Sequence, residues 1–106
     1  MDKYLVFESK EQAEKVIPLN QIKKIRLNQM VLCLANTGQG FIAFENKCPH
    51  LGEDLSRGTI NSSGEVICPW HSYRFNLGTG EECENRCKML RTFRTDWESG
   101  QLFICL

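Results

Sequence analysis

Two stretches decide the reading of this chain: CPHLGEDLSRG at residues 48–58 and VICPWHSYRFNLGTG at residues 66–80. Their starts hold Cys48-Pro-His50 and Cys68-Pro-Trp-His71, with 17 residues between His50 and Cys68. Each pair begins with Cys, ends with His and has Pro directly after the Cys. Two thiolates and two imidazoles in that order suit a [2Fe–2S] cluster with sulfur ligands on one iron and nitrogen ligands on the other. Such a cluster carries one electron. It needs two tight loops that meet face to face, each giving one Cys and one His. Pro49 and Pro69 fix φ and lack an N–H, which stiffens each turn just past its thiol. Gly52 can supply a turn with positive φ directly after the first His. Backbone N–H groups in such loops are free to point at the sulfurs.

Charge gives the imidazoles their meaning. Two ferric ions, two sulfides and two thiolates sum to zero, and neutral imidazoles leave that sum unchanged. Adding an electron to a neutral core is easier than adding one to the dianionic all-thiolate core, so His ligation raises the potential. A structural Cys₂His₂ zinc site is the competing reading, since zinc takes the same four side chains. The usual zinc knuckles pair like ligands with longer spacers, whereas here each knuckle mixes Cys with His.

The two stretches together resemble the Rieske iron–sulfur domain, and the run from about Phe41 to Gly80 follows that family's layout. The resemblance implies that Cys48 and Cys68 bind one iron, while His50 and His71 bind the other. It implies an all-β fold, a Rieske-like antiparallel β-sandwich with a small cluster-binding subdomain. The implied function is soluble electron transport between a reductase and a partner oxygenase or reductase, with no chemistry of the chain's own. The small subunit of an NADH-dependent nitrite reductase, of similar length and fold, is the alternative within the family. A redox sensor and a zinc-held binding module are the others.

The chain also departs from the respiratory type of the family. Glu53 and Trp70 stand where that type has the two cysteines of a disulfide. Tyr73 and Phe75 stand where a Ser and a Tyr donate to the cluster sulfurs. Phe75 has no hydroxyl, and Tyr73 is too bulky to act as a Ser in the same geometry. Fewer donors place the expected potential toward the low end of the Rieske range, roughly −150 to +300 mV. Cys83 and Cys87 fall in the segment that forms a third loop over the cluster in the family. That loop usually contains Pro and this one has none, which counts against a covering role.

With 106 residues the expectation is one domain, residues 1–106, with a cluster-binding part at about 46–80. No apolar run approaches the ~20 residues that span a bilayer, and no secretory signal stands near Met1. A cytoplasmic protein is expected. Thirteen basic and thirteen acidic residues give a formal net charge of zero, so nothing argues for nucleic acid or a membrane surface. No Gly-rich phosphate loop and no catalytic triad are present, and both His are committed to the cluster, so no small-molecule substrate is expected.

Short runs with frequent turns read as strands. They are Lys3–Glu8, Lys23–Leu27, Met30–Ala35, Phe41–Glu45, Thr59–Ile60, Glu65–Ile67, Arg74–Leu77, Met89–Trp97 and Gln101–Cys105. Ser9–Lys15 reads as a helical turn with Ser9 and Gln12 spaced as a capping box, ended by Pro18. Cys33 and Cys105 read as buried small hydrophobes, and Cys83 and Cys87 as free thiols. Trp70 is either a shield over the cluster or a core aromatic. Trp97 reads as hairpin packing, and Leu51 as a cover for the cluster or a partner contact. Glu53, Asp54, Glu81, Glu82 and Glu84 read as a solvated charged face, diluted by Arg57, Arg74 and Arg86.

Overall fold

The computed structural model describes residues 2–106. Its strands are β1 (Lys3–Phe7), β2 (Ile22–Leu27), β3 (Met30–Thr37), β4 (Gly40–Glu45), β5 (Thr59–Ile60), β6 (Glu65–Ile67), β7 (Arg74–Asn76), β8 (Thr92–Phe93), β9 (Thr95–Glu98) and β10 (Gln101–Cys105), with an α-helix, α1 (Lys10–Val16), and a 3₁₀ turn at Leu55–Arg57. They form three antiparallel sheets, ordered β1-β10-β9, β2-β3-β4-β8 and β5-β6-β7. The fold is all-β, as the sequence predicts.

The four-stranded sheet is the middle layer, and its central strands are buried on both faces. Strand side chains alternate between faces, so a two-faced strand feeds two cores. Leu32 and Leu34 of β3, with Phe41 and Ala43 of β4, pack against Phe7, Ala13, Ile17, Leu102 and Ile104. Cys33 and Ala35 of β3, with Phe44 of β4, face the other way. They pack with Leu55, Val66, Phe75, Leu77, Leu90, Cys48 and Cys68. The second core is thus the floor of the two sequence loops.

Helix α1 begins as expected. The Ser9 hydroxyl accepts from the Gln12 N–H at 3.0 Å. Gln12 Oε1 accepts from the Glu8 N–H at 2.8 Å, one residue before the cap, so the box is displaced by one position.

One strand expectation is corrected. Met89–Trp97 is not a single strand, because β8 pairs with β4 and β9 pairs with β10 in a different sheet. The chain changes sheets at Arg94, and Met89–Arg91 lies in the loop before it. A continuous extended pattern carries no mark of which sheet each half joins. The remaining ends differ by one or two residues, β3 running on to Thr37 and β7 stopping at Asn76.

Candidate metal centre

The two cysteine loops share one construction. Cys48 N–H donates to the Glu53 carbonyl at 2.9 Å, and Cys68 N–H donates to the Tyr73 carbonyl at 2.8 Å. Each bond closes the loop five residues beyond its Cys. The first loop turns at Gly52, whose φ of 77° favours glycine, and Gly52 N–H returns to the Cys48 carbonyl at 2.8 Å. The second loop is the β6–β7 hairpin and turns through His71 and Ser72, at φ of 67° and 56°. Two non-glycine residues in the left-handed region mark a turn held by its surroundings.

Asn46 anchors the first loop and was not singled out from the sequence. It is buried, and its carbonyl accepts from Leu55 N–H at 2.7 Å. Its side-chain oxygen accepts from Ser56 N–H at 3.2 Å and from the Cys33 thiol at 3.3 Å. Cys33 is fully buried, as expected, and burial pushes its thiol up to about 12.

Cys48 and Cys68 are both buried in the same core, with free thiols that stand near one another. Burial, helped by Cys48 alongside, pushes the Cys68 thiol up to about 11, against the pull of the Trp70 N–H. That N–H points at Cys68 Sγ from 3.5 Å, the backbone-to-sulfur contact expected of the loop. His50 and His71 stand outside the thiols, His50 half-buried and His71 exposed. Their rings lie 5.6 Å apart at 71°. His50 Nδ1 is buried and has no hydrogen-bond partner among the described residues. A buried nitrogen without a partner is costly in a finished fold and is natural at a metal-binding position.

These residues fit a [2Fe–2S] group of mixed ligation: two adjacent thiols lie inside, with two facing imidazoles at the rim. Among the described residues no three His, Cys, Asp or Glu side chains close on one point, whereas a two-iron cluster asks only two of each iron.

Trp70 is not a core residue. It is exposed and lies edge-on to His71 at 5.5 Å and 82°. Leu51, next to His50 in the chain, is exposed as well. Trp97 is exposed, stands opposite Leu102 in the β9–β10 hairpin and also lies edge-on to Phe41 of β4, outside the hairpin, at 6.0 Å. Cys83 is exposed and Cys87 half-buried, both with free thiols.

The charged face is corrected at two places. Glu82 is buried, not solvated, and bonds Arg86 through Nη2 at 2.5 Å and Nε at 3.1 Å. Asp54 is paired with Lys24 at 3.0 Å and Lys47 at 3.2 Å, which hold its carboxyl down to about 2. The third loop does cover the centre without a proline. Arg86 lies 3.8 Å over the Tyr73 ring, and Cys87 packs against the core that holds Cys48 and Cys68. Gly80 lets this loop come close. It sits at φ 85°, and a Cβ there would stand 2.3 Å from the Leu90 carbonyl oxygen.

Comparison with known proteins agrees with this geometry. The family model of the Rieske [2Fe–2S] domain matches residues 3–94. Human apoptosis-inducing factor 3 is 38% identical over 61 residues, which are 58% of this chain and 10% of that protein. The chain thus spans about a tenth of that relative's length. The ferredoxin subunit of 3-phenylpropionate/cinnamic acid dioxygenase from Escherichia coli K12 is 34% identical over 77 residues, 72% of this chain and 73% of that one. The ferredoxin of carbazole 1,9a-dioxygenase from Nocardioides aromaticivorans IC177 shares the fold at a TM-score of 0.82, with 18% identity, covering 99% of this chain and 98% of that one. The chain belongs to the Rieske [2Fe–2S] domain family, and its cofactor is a [2Fe–2S] cluster.

Proposed function

We propose that this chain is a one-electron carrier in which Cys48 and Cys68 hold one iron and His50 and His71 hold the other. The observation that carries the assignment is the buried Nδ1 of His50, without a partner among the described residues, on the loop that also carries the buried thiol of Cys48. When bound, the cluster takes up one electron and gives it back. The chain's own residues bind it, exclude water and present it. The thiols lie on a floor of Phe44, Phe75, Leu55 and Val66, which keeps water from the sulfur side. His71 and Trp70 are the exposed edge through which a partner approaches.

The partners are a reductase that supplies the electron and an oxygenase or reductase that receives it. Kinship to a dioxygenase ferredoxin subunit supports the oxygenase over a nitrite reductase, for which this chain would be the small subunit. The chain carries no catalytic chemistry of its own and acts as a single domain, residues 1–106, with the cluster-binding part at about 46–80. Among the described residues no helix is long and apolar enough to cross a membrane. Cytoplasm is the compartment this reading expects, because free thiols persist where they are kept reduced.

The test is absorption together with electron paramagnetic resonance of the reduced protein as purified. A red-brown sample with a rhombic signal, its average g value below that of all-thiolate clusters, supports the assignment. A colourless sample with bound zinc that resists anaerobic reconstitution overturns it in favour of the structural module.

A further inference from the structure

His50 is held differently from the usual metal-binding imidazole. Such a ring is ordinarily turned into place by a hydrogen bond from its second nitrogen to a carboxylate or carbonyl. His50 has an aromatic stack. Its ring lies 3.9 Å from the Tyr73 ring, within 9° of parallel. On that same Tyr73 ring lies the Arg86 guanidinium, 3.8 Å from the centroid. One ring cannot hold both groups at that distance on one face, so Tyr73 is clamped between them. Arg86 is fixed in turn by two bonds to Glu82, whose side chain is fully buried. Glu82 is itself held by N–H donors from Glu84 at 3.2 Å and from Arg86 at 2.8 Å. A column therefore runs from a buried carboxylate through a guanidinium and a phenol ring to the imidazole. Each contact is of a recognised attractive kind: a bidentate ion pair, a cation over an aromatic face, and parallel rings.

We propose that Tyr73, clamped by Arg86 on Glu82, is a positioning residue that sets the plane of the His50 imidazole at the metal centre. The inference rests on His50 being a ligand. A bond from nitrogen to iron depends on ring orientation, and an imidazole fixed before the electron arrives needs less rearrangement when it does. Among the described residues His71 has no such column. Its neighbour is the exposed, edge-on Trp70. The two imidazoles are therefore unequal, His50 fixed from inside the protein and His71 open at the surface.

The test uses the reduced holoprotein and pulsed electron paramagnetic resonance, which reads the hyperfine coupling of each ligating ¹⁴N. The wild type is compared with Tyr73→Phe, Tyr73→Leu and Arg86→Gln. The wild type is expected to give two imidazole couplings, and a spectrum with fewer than two overturns the ligand assignment before any variant is considered. Tyr73→Phe keeps the stacked ring and is expected to keep both couplings. Tyr73→Leu is expected to shift or broaden one coupling and leave the other. Arg86→Gln, which leaves the ring but releases the clamp, is expected to broaden that same one. Two couplings unchanged in both Tyr73→Leu and Arg86→Gln overturn the positioning role. So does a shift in Tyr73→Phe, which would assign the effect to the hydroxyl. If Tyr73→Leu does not retain its cluster, Arg86→Gln and Tyr73→Phe decide by the same criteria.

Discussion

Glu82→Gln removes one charge from a carboxylate that takes five hydrogen bonds inside its own loop. Glutamine keeps the shape and one acceptor oxygen, so the bonds to Oε1 from Glu84 N–H, Arg86 N–H and Arg86 Nε survive. The other oxygen accepts from Arg86 Nη2 at 2.5 Å and from the Cys83 thiol at 3.3 Å, and an amide nitrogen there can only donate. Losing hydrogen bonds to a charged group costs about 1.5–3 kcal/mol. Breaking a fully buried ion pair costs about 3–5 kcal/mol. The lower range applies, because the Arg86 side chain is 36% exposed and water takes over part of its charge. About 2 kcal/mol is therefore expected, a fall in midpoint of about 8–16 °C for a domain of this size.

Acid supplies the second half of that test. The Arg86 bonds, working against burial, hold the Glu82 carboxyl down to about 2 from an ordinary 4.5. A depressed carboxyl contributes stability that is full above its unfolded value and is lost as pH falls through its folded value. The gap between wild type and Glu82→Gln is therefore constant at neutral pH and narrows from about 4.5 toward 2. Urea unfolding of both proteins across that range measures it, and losses common to both cancel in the difference. A gap under about 0.5 kcal/mol at pH 7, the scatter of a surface substitution, refutes the reasoning. So does a gap that stays undiminished at the acid end.

Three other outcomes are expected. His50→Cys or His71→Cys, where the cluster still assembles, lowers the potential because the core gains negative charge; a redox titration showing a rise contradicts the charge argument. Gly80→Ala puts a side chain at φ 85° and drives its Cβ to 2.3 Å from the Leu90 carbonyl oxygen, so it destabilises by at least ~1–3 kcal/mol, read by thermal unfolding, and displaces the third loop. Alkylation of the native protein followed by mass spectrometry labels Cys83 first and Cys33 last, since one is exposed and the other is buried with its thiol pushed up to about 12; early labelling of Cys33 contradicts the packing of the inner core.

Most strands were legible as short runs bounded by turn residues. Residues 41–44 are apolar at every position because Phe41 and Ala43 face one core while Phe44 faces the other, and a short unbroken apolar run is how a strand buried on both faces reads. The break at Arg94 was not legible, because both halves are extended and only the partner strand differs. The role of Glu82 was hidden for a similar reason. A Glu among Glu and Arg reads as surface, and only the folded loop brings its own N–H groups and Arg86 around that carboxylate.

The sequence by itself determined the ligand types and their order, because Cys-x-His and Cys-x-x-His are local turns whose chemistry lies within four residues. It also determined the all-β class, through short runs and turn residues. Only the tertiary structure decided how the two imidazoles differ. Trp70 stands edge-on to one and Tyr73 stacks on the other, with Arg86 behind it. Those contacts join residues from three separate loops, and the sequence carries no record of which side chains meet across a gap once the chain has closed on itself.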